Sequence, residues 1–193
     1  MNTLCIISGS IRPNALTRRI ALHLYQQLAA RNNCQINNVD LASFEFPIWK
    51  EVFQNDPDPP RHCRKLHSEL AASDALLLVS PEYNGSYSLA IKNLIDYYEP
   101  NLFSRKAIGI ATVSTGRLGG IRSALQLQQL CLAIYAVPVP QMLLVPEAHR
   151  RFDDNGQLLD ESFSKQVTHF LEEFLWYGHA LYQARTNLPV GLP

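Results

Sequence analysis

The sequence predicts an α/β protein, a parallel sheet of five strands with helices packed on both faces. Three observations carry this. Five short runs are apolar and rich in Val, Ile and Leu, as strands covered on both sides must be. Each run is followed by a segment of helical period, and that alternation implies a parallel sheet. A chain of 193 residues is also long enough to bury a sizeable core as one domain.

The elements follow in order. Thr3 to Ser8 is a short apolar strand. Ala15 to Ala30 is a helix, with Leu16, Ile20, Leu24 and Leu28 on one face. Cys34 to Leu41 alternates as a strand does, and residues 42–60, with Pro47, Pro57, Pro59 and Pro60, read as loop. Arg61 to Ser73 is a helix and Ala75 to Val79 a strand. Ser88 to Tyr98 is a helix closed by Pro100. Lys106 to Val113 is a strand. Gly119 to Tyr135 is a helix whose apolar positions include Ile121, Leu125 and Leu132. Val137 to Val145 is a proline-punctuated strand, and Asn155-Gly156 marks a turn. Ser162 to Ala184 is a long helix, with Phe163, Val167, Phe170 or Leu171, Phe174 and Leu181 on its buried side. Five strands and five helices fit the flavodoxin-like order 2-1-3-4-5, a three-layer sandwich, better than a six-stranded dinucleotide fold. Residues 1–185 are expected to form one domain, and 186–193 a Pro-ended tail.

Bulk properties exclude several classes. Lys plus Arg and Asp plus Glu each number 17, so the formal charge is zero. That argues against a broad nucleic-acid or membrane footprint. The apolar run at the N-terminus, Leu4 to Ile7, is too short for a signal peptide, and no stretch has the length of a membrane span. The expected location is cytoplasmic. Of the four cysteines, Cys5, Cys34, Cys63 and Cys131, no two have C-x-x-C spacing, and reduced core thiols are expected. His62-Cys63 and His67 lack a second ligand pair, so no metal site is assigned.

In order 2-1-3-4-5, ligands sit beyond the C-terminal ends of strands one, three and four. The loops there are the least ordinary stretches of the chain. The first, "SGSIRPNALT", offers Gly9, the Ser10 hydroxyl, the Arg12 cation and a helix N-terminus, which together favour a phosphate. One glycine makes neither G-x-G-x-x-G nor a Walker loop, so a monophosphate is the better match. Plain helix capping by Ser10 or Asn14 is the alternative reading of this loop. The second, "SPEYNGSYS", combines a stiffening Pro81, an acid at Glu82, the aromatic Tyr83 and the permissive pair Asn84-Gly85. Asn-Gly usually marks a hairpin, but no matching strand follows, so the pair reads as a bend into the next helix. Glu82 is better explained as a carboxylate bonded to backbone or to a partner subunit than as a catalytic base. The third, "STGRLGGIRS", offers Ser114, Thr115, Gly116, Gly119 and Gly120, with Arg117 and Arg122. Arg122 is expected to be a solvated surface charge. A planar ring with a monophosphate tail fits all three loops, and flavin mononucleotide (FMN) is such a ligand.

"GSIRPNALTRRIA" resembles the G-S-x-R-x-x-S phosphate loop of the NAD(P)H-dependent FMN reductase family, which includes flavin, quinone, azo-dye and chromate reductases. "SPEYNGSYSLAIKNLIDYY" is similar to its P-E-Y-N-x-S-x-P-x-x-L-K-N-x-I-D signature. "STGRLGGIRSALQLQQL" and "FDDNGQLLDE" resemble its third loop and the turn before its last helix. The resemblance implies bound FMN, NADPH or NADH as donor, a small-molecule electron acceptor, and a homodimer or homotetramer using the 88–98 helix. It places Ser10, Arg12 and Thr17 on the phosphate. Pro81, Glu82, Tyr83 and Asn84 line the ribityl chain and ring, and Ser114, Thr115, Gly116 and Gly119 meet the ring. Two positions depart from the pattern. Ala15 replaces a phosphate-binding serine, and Ser88 replaces a proline, which implies a less rigid helix entry.

The expected reaction passes hydride from the nicotinamide to FMN and two electrons onward. No catalytic residue is assigned, because the cofactor carries that chemistry. Arg117 is a candidate for stabilising charge on reduced flavin. Two other classes compete. A flavodoxin-type electron carrier would normally show strong negative charge, absent here. A nucleoside-processing transferase with Glu82 as nucleophile would leave the phosphate loop unexplained.

Overall fold

The computed structural model describes residues 1–31, 34–44, 46 and 48–187. Pro47 and positions 188–193 of the expected tail lie outside the described residues; 186 and 187 belong to the last helix.

The strands are β1 (Thr3–Ser8), β2 (Gln35–Asp40), β3 (Ala75–Pro81), β4 (Ala107–Val113), β5 (Val137–Pro138) and β6 (Leu143–Val145). The helices are α1 (Leu16–Arg31), α2 (Arg61–Ala72), α3 (Leu89–Tyr97), α4 (Ile121–Ala133), the short α5 (Ala148–Arg151) and α6 (Ser164–Asn187). All strand pairs are parallel, in the order β2-β1-β3-β4-β5, with β6 also on β4. This is the flavodoxin-like order 2-1-3-4-5.

The fifth strand corrects the expected Val137–Val145 run. It is broken in two, β5 against Ala107–Ile108 and β6 against Ala111–Val113. Val139 still donates to the Ile108 carbonyl at 2.9 Å; Pro140, which has no N–H to give, follows, and the chain leaves the sheet until Leu143.

Alternation along each strand sends side chains to two cores. Cys5, Ile7, Leu76, Leu78, Ile108 and Ile110 pack under α2, α3 and α4. Leu4, Ile6, Leu77, Val79 and Ala111 pack under α1 and α6, with both Phe170 and Leu171 buried beside Phe174. Gly109 sits where a Cβ would meet the Phe174 ring at 2.8 Å, so β4 needs a side-chain gap to seat that ring. The buried stripe of α4 is Ala124, Leu127 and Cys131, whereas Leu125 and Leu132 are exposed. Small residues let α4 approach the sheet closely, and the larger leucines are left on the outer face.

Among the described residues no helix is long and apolar enough to cross a membrane. Burial pushes the Cys5 and Cys131 thiols up to about 12, so both are inert packing groups.

Candidate functional site

The loops after β1, β3 and β4 meet at the C-terminal end of the sheet. Each is fastened to its neighbours. Gly9 donates its N–H to the Val79 carbonyl at 2.8 Å, joining the first loop to β3. Its Cα lies so close to α3 that a Cβ would meet Ile91 Cδ1 at 2.3 Å. Ser88 closes this junction. Its hydroxyl donates to the Gly9 carbonyl and accepts the Ile91 N–H at 3.2 Å, while its own N–H donates to Ser80 Oγ at 3.3 Å. The helix entry expected to be loose is therefore an N-cap tied to the first loop.

The middle loop is a hairpin after all. Tyr83 and Ser86 exchange N–H···O bonds at 2.9 and 3.0 Å, and Asn84 and Gly85 both have positive φ, 51° and 79°. That is the I′ geometry Asn-Gly favours. One rung suffices because α4 supplies the support a second strand would give. Gln126 donates to the Gly85 carbonyl at 2.8 Å and accepts from the Ser86 hydroxyl at 2.7 Å. Glu82 accepts the N–H groups of Arg122 at 3.1 Å and Ser123 at 3.4 Å, capping α4 at its positive end. The Arg122 guanidinium approaches the same carboxylate at 3.5 Å but is mostly exposed.

In the third loop, Gly119 and Gly120 have φ of 61° and 84°. A Cβ on Gly120 would meet Thr112 Cβ at 2.9 Å, and one on Gly119 would meet the Leu144 backbone at 3.0 Å. These glycines therefore serve the packing of the loop on β4 and β6. The loop is pinned there by Ser114 N–H to the Val145 carbonyl and Ala148 N–H to the Ser114 carbonyl, both at 3.1 Å.

Between the loops lies a cleft of about 320 Å³. It gathers eight of the residues singled out in the sequence, namely Ser10, Arg12, Thr17, Pro81, Glu82, Tyr83, Ser114 and Thr115. Pro13, Asn14, Ala15, Leu16 and Val113 complete the wall. Asn84, Gly116 and Gly119 do not line it, and Arg117 lines a neighbouring cleft. Ser10 Oγ lies 2.8 Å from the Tyr83 hydroxyl, and the Arg12 guanidinium sits 5.6 Å from that ring's centre. Ser8 donates to Thr17 Oγ1 at 3.3 Å, which leaves the Thr17 hydroxyl proton for an acceptor. Asn14, at φ 54°, turns the chain into α1. The first N–H groups of a helix have no intrahelical acceptor, and here Leu16 and Thr17 bring them to the cleft. Two hydroxyls, a cation and free amides at one end suit a phosphate monoester, and Tyr83 offers an aromatic wall beside them. These residues fit FMN.

Fold and site together define a flavodoxin-like protein with a three-loop cleft at the C-terminal ends of its central strands. Residues 2–150 match the family model of NADPH-dependent FMN reductases, and the chain belongs to that family. It is 28% identical over 169 residues to a quinone reductase of Pseudomonas putida, covering 83% of this chain and 86% of that protein. It is 29% identical over 178 residues to an NAD(P)H-dependent FMN reductase of Pseudomonas aeruginosa, covering 88% and 89%. An NADPH azoreductase of a Bacillus species is 27% identical over 155 residues, covering 80% and 82%. Among solved structures, the flavoenzyme NAD(P)H:acceptor oxidoreductase FerB of Paracoccus denitrificans superposes with TM-score 0.78 at 23% identity, over 93% of this chain and 98% of that one.

Proposed function

We propose that this enzyme binds FMN in the three-loop cleft and uses NADPH or NADH to reduce a small acceptor such as a free flavin, quinone, azo compound or chromate. The observation that carries this is the convergence of Ser10, Arg12, Thr17 and the α1 N-terminus with Tyr83, Ser114 and Thr115 in one cleft. Bound there, FMN supplies two-electron chemistry, a hydride equivalent taken from NAD(P)H and two electrons returned to the acceptor with protons from water. Arg12 and the α1 amides hold the phosphate by charge and dipole. Ser10 and Thr17 add hydroxyl donors. Pro81–Tyr83 and Ser114–Thr115 wall the remainder and exclude water from it. Glu82 holds α4 in place and takes no proton-transfer role in this reading.

The same reading includes a homodimer or homotetramer through the 88–98 helix. Leu89, 77% exposed, frames an apolar recess of about 150 Å³ with Ile11, Phe44 and Ile48. Leu89→Lys should shift the assembly toward monomer in sedimentation.

The test is direct. The purified protein is expected to be yellow, or to become so with FMN, and to oxidise NADPH or NADH faster when a quinone or free FMN is present. A colourless protein that never takes up FMN would sink the reading. A yellow protein that oxidises neither nucleotide would be a carrier.

A further inference from the structure

Arg117 lies outside the flavin cleft and lines a second one, of about 540 Å³, on the far side of the third loop. Leu118, Met142, Leu144 and Pro146 give this cleft an apolar floor, and Gln141 and Gln166 face it with amides. Two arginines reach it, in different states. Arg151 is committed: it pairs with the Asp160 carboxylate, donates to the Pro146 carbonyl at 2.9 Å and lies 4.7 Å from the Phe163 ring centre. Arg117 has no hydrogen bond or ion pair with any described residue. Glu147, whose N–H donates to the Gly116 carbonyl, is already paired with Arg150 at 3.2 Å.

An apolar floor, two amides and one uncompensated guanidinium suit a heterocyclic base carrying a single phosphate monoester. The second cleft also shares a wall with the first. Ser114 and Thr115 line one, and Arg117 and Leu118 the other. Two residues of chain span at most about 7 Å, so one extended dinucleotide can reach both.

We propose that this second cleft receives the adenosine end of the donor dinucleotide, and that Arg117 pairs with its 2′-phosphate, making NADPH the preferred donor. The proposal rests on the reading of the first cleft as a flavin site. A pyrophosphate is a poorer match for Arg117, because the loop brings a single cation and no run of free helical amides to that point. The 2′-phosphate is the only phosphate that separates NADPH from NADH, so a contact to it acts on donor choice.

Three donors separate the possibilities: NADPH, NADH and reduced nicotinamide mononucleotide, which lacks the adenosine half. For Arg117→Ala the kcat/KM with NADPH should fall about tenfold, through KM, with smaller losses at higher salt. The values with NADH and the mononucleotide should move by less than about twofold. Gln166→Ala, on the facing wall, should weaken NADPH and NADH together relative to the mononucleotide. Calorimetry with 2′,5′-ADP should show binding to the wild type that Arg117→Ala removes. Equal losses with all three donors would place Arg117 at the flavin and overturn the proposal. Losses confined to NADPH and NADH equally would place it on the pyrophosphate and overturn the 2′-phosphate assignment. Unchanged values with every donor would also overturn it. A wild type that binds 2′,5′-ADP but never FMN would instead remove the flavin reading and leave the second cleft standing.

Discussion

The Ser88 hydroxyl donates to the carbonyl of Gly9, so the cap of α3 also fixes the start of the loop after β1. Ser88 is buried, and its oxygen accepts the Ile91 N–H at the same time. Ser88→Ala is expected to lose about 1 kcal/mol of stability, the usual cost of a lost N-cap. It should also weaken FMN binding several-fold, because the Gly9 carbonyl is released beside the cleft. Urea unfolding and a fluorescence titration with FMN measure the two effects separately.

Glu82 distinguishes capping from chemistry. Its carboxylate accepts two α4 N–H groups, and an amide oxygen can accept them as well. Glu82→Gln should therefore stay within about 0.5 kcal/mol of the wild type, losing only the charge at the helix end. Glu82→Ala should cost about 1 kcal/mol. The pH profile of turnover should be the same in wild type and Glu82→Gln. A profile that lost a limb in the glutamine variant would give Glu82 a proton-transfer role.

Ala15 lines the cleft, and in the proposed reading a hydroxyl there adds a donor to the FMN phosphate. Ala15→Ser is expected to tighten FMN by about tenfold, the equivalent of one charge-assisted hydrogen bond of about 1.4 kcal/mol. Equilibrium dialysis of FMN against both proteins checks it.

Alkaline stability follows from the buried acids. Burial raises Cys5 and Cys131 from 9.0 to about 12, and raises Tyr97 and Tyr98 as well. The unfolded chain then ionises first, so the stability these groups contribute is complete below pH 9.0 and is lost as pH rises toward 12. Lys106 acts with the opposite sign. Burial lowers it from 10.5 to about 8, and its ammonium donates to the Leu70 carbonyl at 2.7 Å. Between those values the unfolded chain binds the extra proton, and stability gains with pH. Urea midpoints should fall between pH 9 and 11 in the wild type, and fall more steeply in Lys106→Met.

Much of this was legible in the sequence because two-sided burial leaves an unambiguous pattern. β1, β3 and β4 are nearly unbroken apolar runs, and their parallel pairing fixes which loops meet. The face of α4 was not legible. Ile121, Leu125 and Leu132 recur at helical spacing, and so do Ala124, Leu127 and Cys131; only the closeness of the sheet selects the smaller set. The break between β5 and β6 was signalled by Pro138 and Pro140, but not its position. In the site, residue types singled out Ser10, Arg12 and Thr17, which the fold brings to one cleft. The one-rung hairpin was hidden, because its supporting partner is Gln126, forty residues away on a helix with no motif of its own.

The bonds from Glu82 to the first turn of α4, and from Gln126 to the Asn84-Gly85 turn, make two walls of the cleft part of one mechanical body. The remaining wall, with Arg12 and Asn14, travels with α1 on the opposite side of the sheet. In the proposed reading the flavin is gripped between these two units, and they are joined by the Ser10 and Tyr83 hydroxyls, 2.8 Å apart, and by Gly9, packed between Val79 and Ile91.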